Sequence, residues 1–135
     1  MRLCSIASGS SGNCIYVGSE ETHVLVDTGI SGKRIEQGLN QLELTGRDID
    51  AILVTHEHSD HIKGLGVLAR KHHVPIYGTK ETLEEVAANT KLGEYPKELL
   101  HPVLPELHPV KRARLQIRQL MQNNLQIMRR KSSKM

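Results

Sequence analysis

Thr55-His56-Glu57-His58-Ser59-Asp60-His61 places three imidazoles and two carboxylates in one short stretch, and the rest of the chain is read outward from it. The apolar run before it, Ala51-Ile52-Leu53-Val54, is short and β-branched and reads as a buried strand. After it, Ile62, Leu65, Leu68 and Ala69 recur at helical spacing, which predicts a helix from Ser59 to about His73. The cluster therefore lies where a strand hands over to a helix. An extended backbone turns His56 and His58 to the same side. Ser59 as N-cap puts Asp60 and His61 in the first helical turn. A carboxylate is favoured there by the helix dipole, and it offsets the repulsion that a cation meets at the same end. Imidazole nitrogen and carboxylate oxygen together suit zinc, and also iron or manganese. Solvated loop histidines would need the strand end, the alternation and the Asp-His helix start to coincide by accident.

The chain has 135 residues, which suggests one domain. It has no Phe or Trp and only Tyr16, Tyr77 and Tyr95, so aliphatic side chains must build its core. Its apolar runs fall far short of the roughly 18 residues that suggest a membrane span. Met1-Arg2-Leu3-Cys4-Ser5-Ile6-Ala7 has no long apolar segment, so no signal peptide is expected. Cys4 and Cys14 form no CxxC pattern and read as a reduced pair, with a cytoplasmic location expected. Charge is unevenly spread. Residues 1–110 hold ten Lys+Arg against fifteen Asp+Glu, a net −5, while residues 111–135 hold eight Lys+Arg and no acid, a net +8. The pattern is a mildly acidic domain with a basic tail.

Residues 2–7 and 13–18 read as a hairpin about the turn formers Ser8-Gly9-Ser10-Ser11-Gly12-Asn13. That loop could cradle a phosphate through its N–H groups, but it lacks a P-loop pattern and no helix follows. Thr22-His23-Val24-Leu25-Val26 is a third strand, ending at Asp27-Thr28-Gly29. Asp27 either presents its carboxylate to a site or bonds its own turn. His23 reads as structural. A helix is expected from Ser31-Gly32 to about Leu44, with Ile35, Leu39 and Leu42 on its apolar face. His72 and His73 suit a helix C-terminus. Val74 to Gly78 is a short strand, and Thr79 caps a helix through about Lys91. Strand and helix alternate over 51–91, so this part is α/β with parallel pairing. After Gly93, Tyr95-Pro96, His101-Pro102, Leu104-Pro105 and His108-Pro109 break regular structure. A helix over Arg114–Arg130 would align Ile117, Leu120, Met121 and Met128. The chain is thus divided into 1–92 and a proline-broken linker with basic tail, 93–135.

His56-Glu57-His58-Ser59-Asp60-His61 resembles the HxHxDH signature of metallo-β-lactamase-fold hydrolases, and Leu25-Val26-Asp27-Thr28-Gly29 resembles their upstream aspartate motif. The opening, Ser5-Ile6-Ala7-Ser8-Gly9-Ser10-Ser11-Gly12-Asn13-Cys14, is similar to that of the YycJ/WalJ branch. The resemblance covers about residues 1–92. It implies the N-terminal half of an αββα sandwich with a two-metal centre, zinc or else manganese or iron. His56 and His58 would bind the first metal and Asp60 and His61 the second, with Asp60 doubling as the catalytic residue. Asp27 would stand behind these ligands and orient them. The implied activity is phosphodiester hydrolysis of nucleic acid, exonuclease-type, by a metal-bound hydroxide.

The chain also departs from the family. A later histidine, a bridging aspartate and a final histidine complete the family's centre, yet no aspartate follows Asp60. The later histidines are His72, His73, His101 and His108, and no pattern supports Glu106 as a substitute. A truncated hydrolase is therefore expected, with an uncovered apolar sheet face that favours self-association. Two alternatives are an inactive metal-binding half-domain and a nucleic-acid-binding module acting through the basic tail.

Overall fold

Six strands form one mixed sheet in the order β1-β2-β3-β4-β5-β6 in a computed structural model, whose described residues are 1–103, 114 and 116–124. The strands are β1 Arg2–Ala7, β2 Cys14–Gly18, β3 His23–Val26, β4 Ala51–Leu53, β5 Ile76–Thr79 and β6 Leu100–Val103. The first three pair antiparallel, as a hairpin followed by a meander. From β3 onward the pairing is parallel, as the alternation of strand and helix predicts. The expected proline-broken stretch after Gly93 thus contains a strand. His101-Pro102 lies in β6, and β6 is at the sheet edge, where a missing N–H is tolerated.

The helices are α1 Gly32–Gln41, α2 Ser59–Ile62, α3 Leu65–His72 and α4 Lys80–Ala88, with residues 116–124 forming α5. Ser31 Oγ accepts from Arg34 N–H at the start of α1, and Thr79 Oγ1 accepts from Thr82 N–H at the start of α4. Both helices end earlier than expected. Leu42 closes α1, and after α4 the chain tightens into a 3₁₀ turn over Thr90–Leu92.

The expected single helix over 59–73 is two helices. Gly64 N–H donates to Thr28 O (2.7 Å) instead of continuing the helix, and α3 starts afresh with Leu68 N–H on Gly64 O. His58, not Ser59, occupies the N-cap position of α2. A tertiary hydrogen bond to the strand-end loop has overridden the helical periodicity.

Successive residues point to opposite faces, and both faces are used. Tyr16, Leu25, Ile52 and Ile76 meet Ile35, Leu39, Leu65, Leu68 and Val86 in the main core. On the other face Val24, Ala51 and Leu53 pack with Leu120 of α5, flanked by Val26, Tyr77 and Ile117. The sheet face expected to be bare is therefore covered in part. Ile117, Leu120 and Met121 do supply the stripe read from sequence, and Met128 lies outside the described residues. Asn124 Nδ2 donates to Glu21 O (2.7 Å) and Thr22 Oγ1 (2.9 Å), tying α5 to the start of β3. β6 and α5 thus join the sheet beyond residue 92, where the sequence places its division. Among the described residues no helix is long and apolar enough to cross a membrane.

Candidate metal centre

Val26 and Leu53 are register partners, so the chain leaves β3 and β4 side by side. Asp27 N–H continues the ladder by donating to Leu53 O (2.7 Å). Asp27 is buried and has φ +63°, a left-handed conformation that Asp tolerates better than most residues. Its Oδ1 accepts from Thr55 N–H (2.8 Å), and its Oδ2 accepts from Thr55 Oγ1–H (2.6 Å) and His61 Nδ1–H (2.7 Å). Between a carboxylate and its ring partner the ring must donate, so Nδ1 carries a proton, and in the neutral ring, the form that binds a metal, the lone pair of His61 is on Nε2.

That lone pair faces the carboxylate of Asp60, with Nε2 and Oδ2 3.5 Å apart. Two ligands at zinc distances, about 2.0–2.2 Å in tetrahedral geometry, stand roughly 3.3–3.6 Å from each other. Asp60 and His61 therefore fit as two donors to one ion, with Asp27 setting the tautomer from behind.

Thr55 does the same for His56. Its single hydroxyl proton goes to Asp27, so Oγ1 accepts from His56 Nδ1–H (3.1 Å) and the Nε2 of His56 stays free. The rings of His56 and His61 lie 4.8 Å apart and those of His56 and His58 6.2 Å apart, centroid to centroid. His56 and His58 are exposed, while Asp60 and His61 are half-buried. The fold thus gathers His56, His58, Asp60 and His61 at the end of β4. Among the described residues no three His, Cys, Asp or Glu side chains already converge as one ligand set. Of the four, Asp60 and His61 stand at the spacing of two ligands on one ion, and the His56 ring lies nearer to His61 than to His58.

The other candidates lie elsewhere. His23 Nδ1 bonds the Tyr16 hydroxyl (2.6 Å), and its backbone N–H donates to Asp50. His72 Nε2 bonds Glu36 Oε1 (3.1 Å), which also receives Gly46 N–H. His73 closes α3 with φ +52°. His101 stacks on Tyr77. Glu106 and His108 fall outside the described residues. Both cysteines are free thiols. Burial, and then the Asp27 charge, push the Cys14 thiol up to about 12, which disfavours the thiolate a metal would need. Sequence reasoning assigned no role to Thr55 or Asn13. The signal for Thr55 was its place directly before His56. That for Asn13 was its place in the Gly/Ser turn.

The model of the metallo-beta-lactamase superfamily matches residues 7–123. The chain belongs to this superfamily. The match runs past residue 92, at which the sequence motifs stop. The exodeoxyribonuclease YycJ of Bacillus anthracis is 58% identical to this chain over 77 residues, covering 57% of it and 29% of YycJ. The exodeoxyribonuclease WalJ of Streptococcus pneumoniae serotype 2 is 44% identical over 96 residues, covering 71% of this chain and 36% of WalJ. The chain thus spans about a third of the length of these relatives. Among solved structures, the Rm3 metallo-beta-lactamase superposes with a TM-score of 0.56 at 27% identity, over 63% of this chain and 32% of that one. A B3 metallo-beta-lactamase with an active-site glutamic acid gives 0.60 at 21% identity, over 76% and 42% respectively, and shows likeness of fold. The architecture here is one sheet of that fold with its helices, and membership implies a divalent metal.

Proposed function

We propose that this chain carries the metal-binding edge of a nuclease-type hydrolase that cleaves phosphodiester bonds in DNA. The single observation behind this reading is the relay Asp27–His61–Asp60, in which a buried carboxylate fixes a ring whose free nitrogen faces a second carboxylate. His56 and His58 would hold one ion and Asp60 and His61 the other, zinc being the metal that suits this donor set best. Bound there, a divalent ion brings the pKa of water near neutrality and polarises the phosphoryl oxygen. The chain's own part is to hold the donors. Asp27 and Thr55 orient the imidazoles, and Asp60, the residue closest to the chemistry, sits half-open to a substrate. Residues 1–92 carry this centre, while the segment 93–135 adds an edge strand and a partial cover for the sheet. The names of the YycJ and WalJ relatives support DNA as substrate, and a cytoplasmic location belongs to the same reading.

The test is an exonuclease assay of the zinc-loaded chain on end-labelled DNA. Activity that a chelator removes and zinc restores, and that His58→Ala abolishes, supports the reading. Activity indifferent to both would sink it. A second reading, a metal-binding half-site without turnover, is favoured because among the described residues no three His, Cys, Asp or Glu side chains converge as one ligand set. It predicts about one zinc or less per chain and no cleavage.

A further inference from the structure

Asn13 stands at the junction of the glycine-rich β1–β2 loop with the metal-binding loop. Its backbone N–H donates to the Asp60 carbonyl (2.8 Å), and its side-chain Nδ2 donates to the same oxygen (3.2 Å). Nδ2 also reaches Gly9 O (3.1 Å), while Oδ1 accepts from Gly9 N–H (3.2 Å). Its own carbonyl accepts from Gly29 N–H (2.8 Å). One residue thereby ties together the hairpin turn, the loop after Asp27 and the first turn of α2.

The Asp60 peptide is held from both sides. A side chain at Gly29 would overlap the Asp60 carbonyl, so the two backbones are in direct contact. The next carbonyl, that of His61, accepts from Thr28 N–H (2.9 Å). In a longer helix the Asp60 carbonyl would accept from Gly64, but Gly64 N–H is taken by Thr28 O. Asn13 fills that place with two donors. The carbonyl it grips belongs to the residue whose carboxylate faces His61 Nε2.

We propose that Asn13 is a positioning residue for the metal centre: by clamping the Asp60 carbonyl it fixes the separation of Asp60 and His61 at the spacing one ion requires. The inference rests on the proposed metal-binding role of Asp60 and His61. The two pinned carbonyls act on the backbone of both donors, so a loosened clamp lets the pair spread. Groups that orient ligands from behind change metal affinity about 10- to 100-fold when removed, and Asn13 is one bond further back, so the lower end applies.

The experiment measures zinc affinity of the full chain by competition with a chromophoric chelator, together with the thermal midpoint of the metal-free form. Asn13→Ala is expected to weaken zinc about tenfold. Asn13→Asp keeps the acceptor for Gly9 N–H but loses the Nδ2 donor, and it should weaken zinc as much. It carries the test if the alanine variant does not fold. Leu39→Ala, a core change away from the loop, lowers stability by another route and should leave zinc affinity within twofold of wild type. Wild-type affinity in a folded Asn13 variant would overturn the inference and leave the metal site standing. Equal loss in Leu39→Ala would also overturn it, because the effect would then be general destabilisation. A folded wild-type chain that takes up no zinc would remove the metal site itself and this inference with it.

Discussion

Asp27 Oδ2 and His61 Nδ1 lie 2.7 Å apart, joining the end of β3 to the first turn of α2 across 34 residues of sequence. The bond leaves His61 Nε2 free and aimed at Asp60. Asp27→Ala would remove the acceptor for that proton and leave the Thr55 backbone N–H without its partner. Zinc affinity should fall about 10- to 100-fold, with a stability loss of about 1–3 kcal/mol from the unpaired donors. Chelator competition and urea denaturation measure the two. Unchanged affinity would show that Asp27 only closes a turn.

Gly29 has no room for a side chain, because a Cβ there would run into the Asp60 carbonyl and crowd Asn13 N. Gly29→Ala must push two loops apart. A loss of about 1–3 kcal/mol is expected from overpacking, read as a lower urea midpoint at unchanged slope. A variant as stable as wild type would mean that the contact between these loops is looser than described.

Leu120 is 4% exposed and packs against Val24, Ala51 and Leu53 on the second sheet face. Leu120→Ala should cost about 2–5 kcal/mol, and it would bare an apolar face that the exposed Leu3 shares through its register partner Val17. Sedimentation velocity should then show more self-association than in wild type. A variant that stays as stable and as dispersed as wild type would contradict this seat for α5.

Cys14 is fully buried, and its thiol is raised from 9.0 to about 12, by burial first and the Asp27 charge second. In the unfolded chain the thiol ionises above about pH 9, whereas the fold holds it neutral. The stability it contributes is therefore whole below pH 9 and is lost as pH rises from about 9 towards 12. Cys14→Ala should flatten that part of the stability profile, measured by urea denaturation between pH 8 and about 11. A wild-type and variant pair with parallel profiles would show that Cys14 does not titrate differently on folding.

Much of the fold was legible because local signals agreed. The short β-branched runs Thr22–Val26 and Ala51–Val54, the Ser31 and Thr79 caps and the Gly/Ser turn each matched the structure within a residue or two. The break at Lys63-Gly64 was not legible. The helical period runs straight through it, and only the distant Thr28 carbonyl diverts Gly64 N–H. β6 was hidden for a related reason, since Pro102 forbids a central strand but not an edge one. The HxHxDH stretch marked the proposed donors, yet nothing local showed that Thr55 would bond Asp27 and His56 or that Asn13 would bond Asp60. Those contacts depend on segments 28 and 47 residues away in sequence meeting at the ends of β3 and β4.

The central claim is that side chains at positions 56 to 61 grip a divalent ion. Dialysis of the folded chain against excess zinc, followed by zinc-free buffer and elemental analysis, tests it most directly. Retained zinc that drops sharply in His61→Ala and His58→Ala, with folding confirmed by circular dichroism, is the predicted result. A folded wild-type chain that emerges without zinc would contradict it.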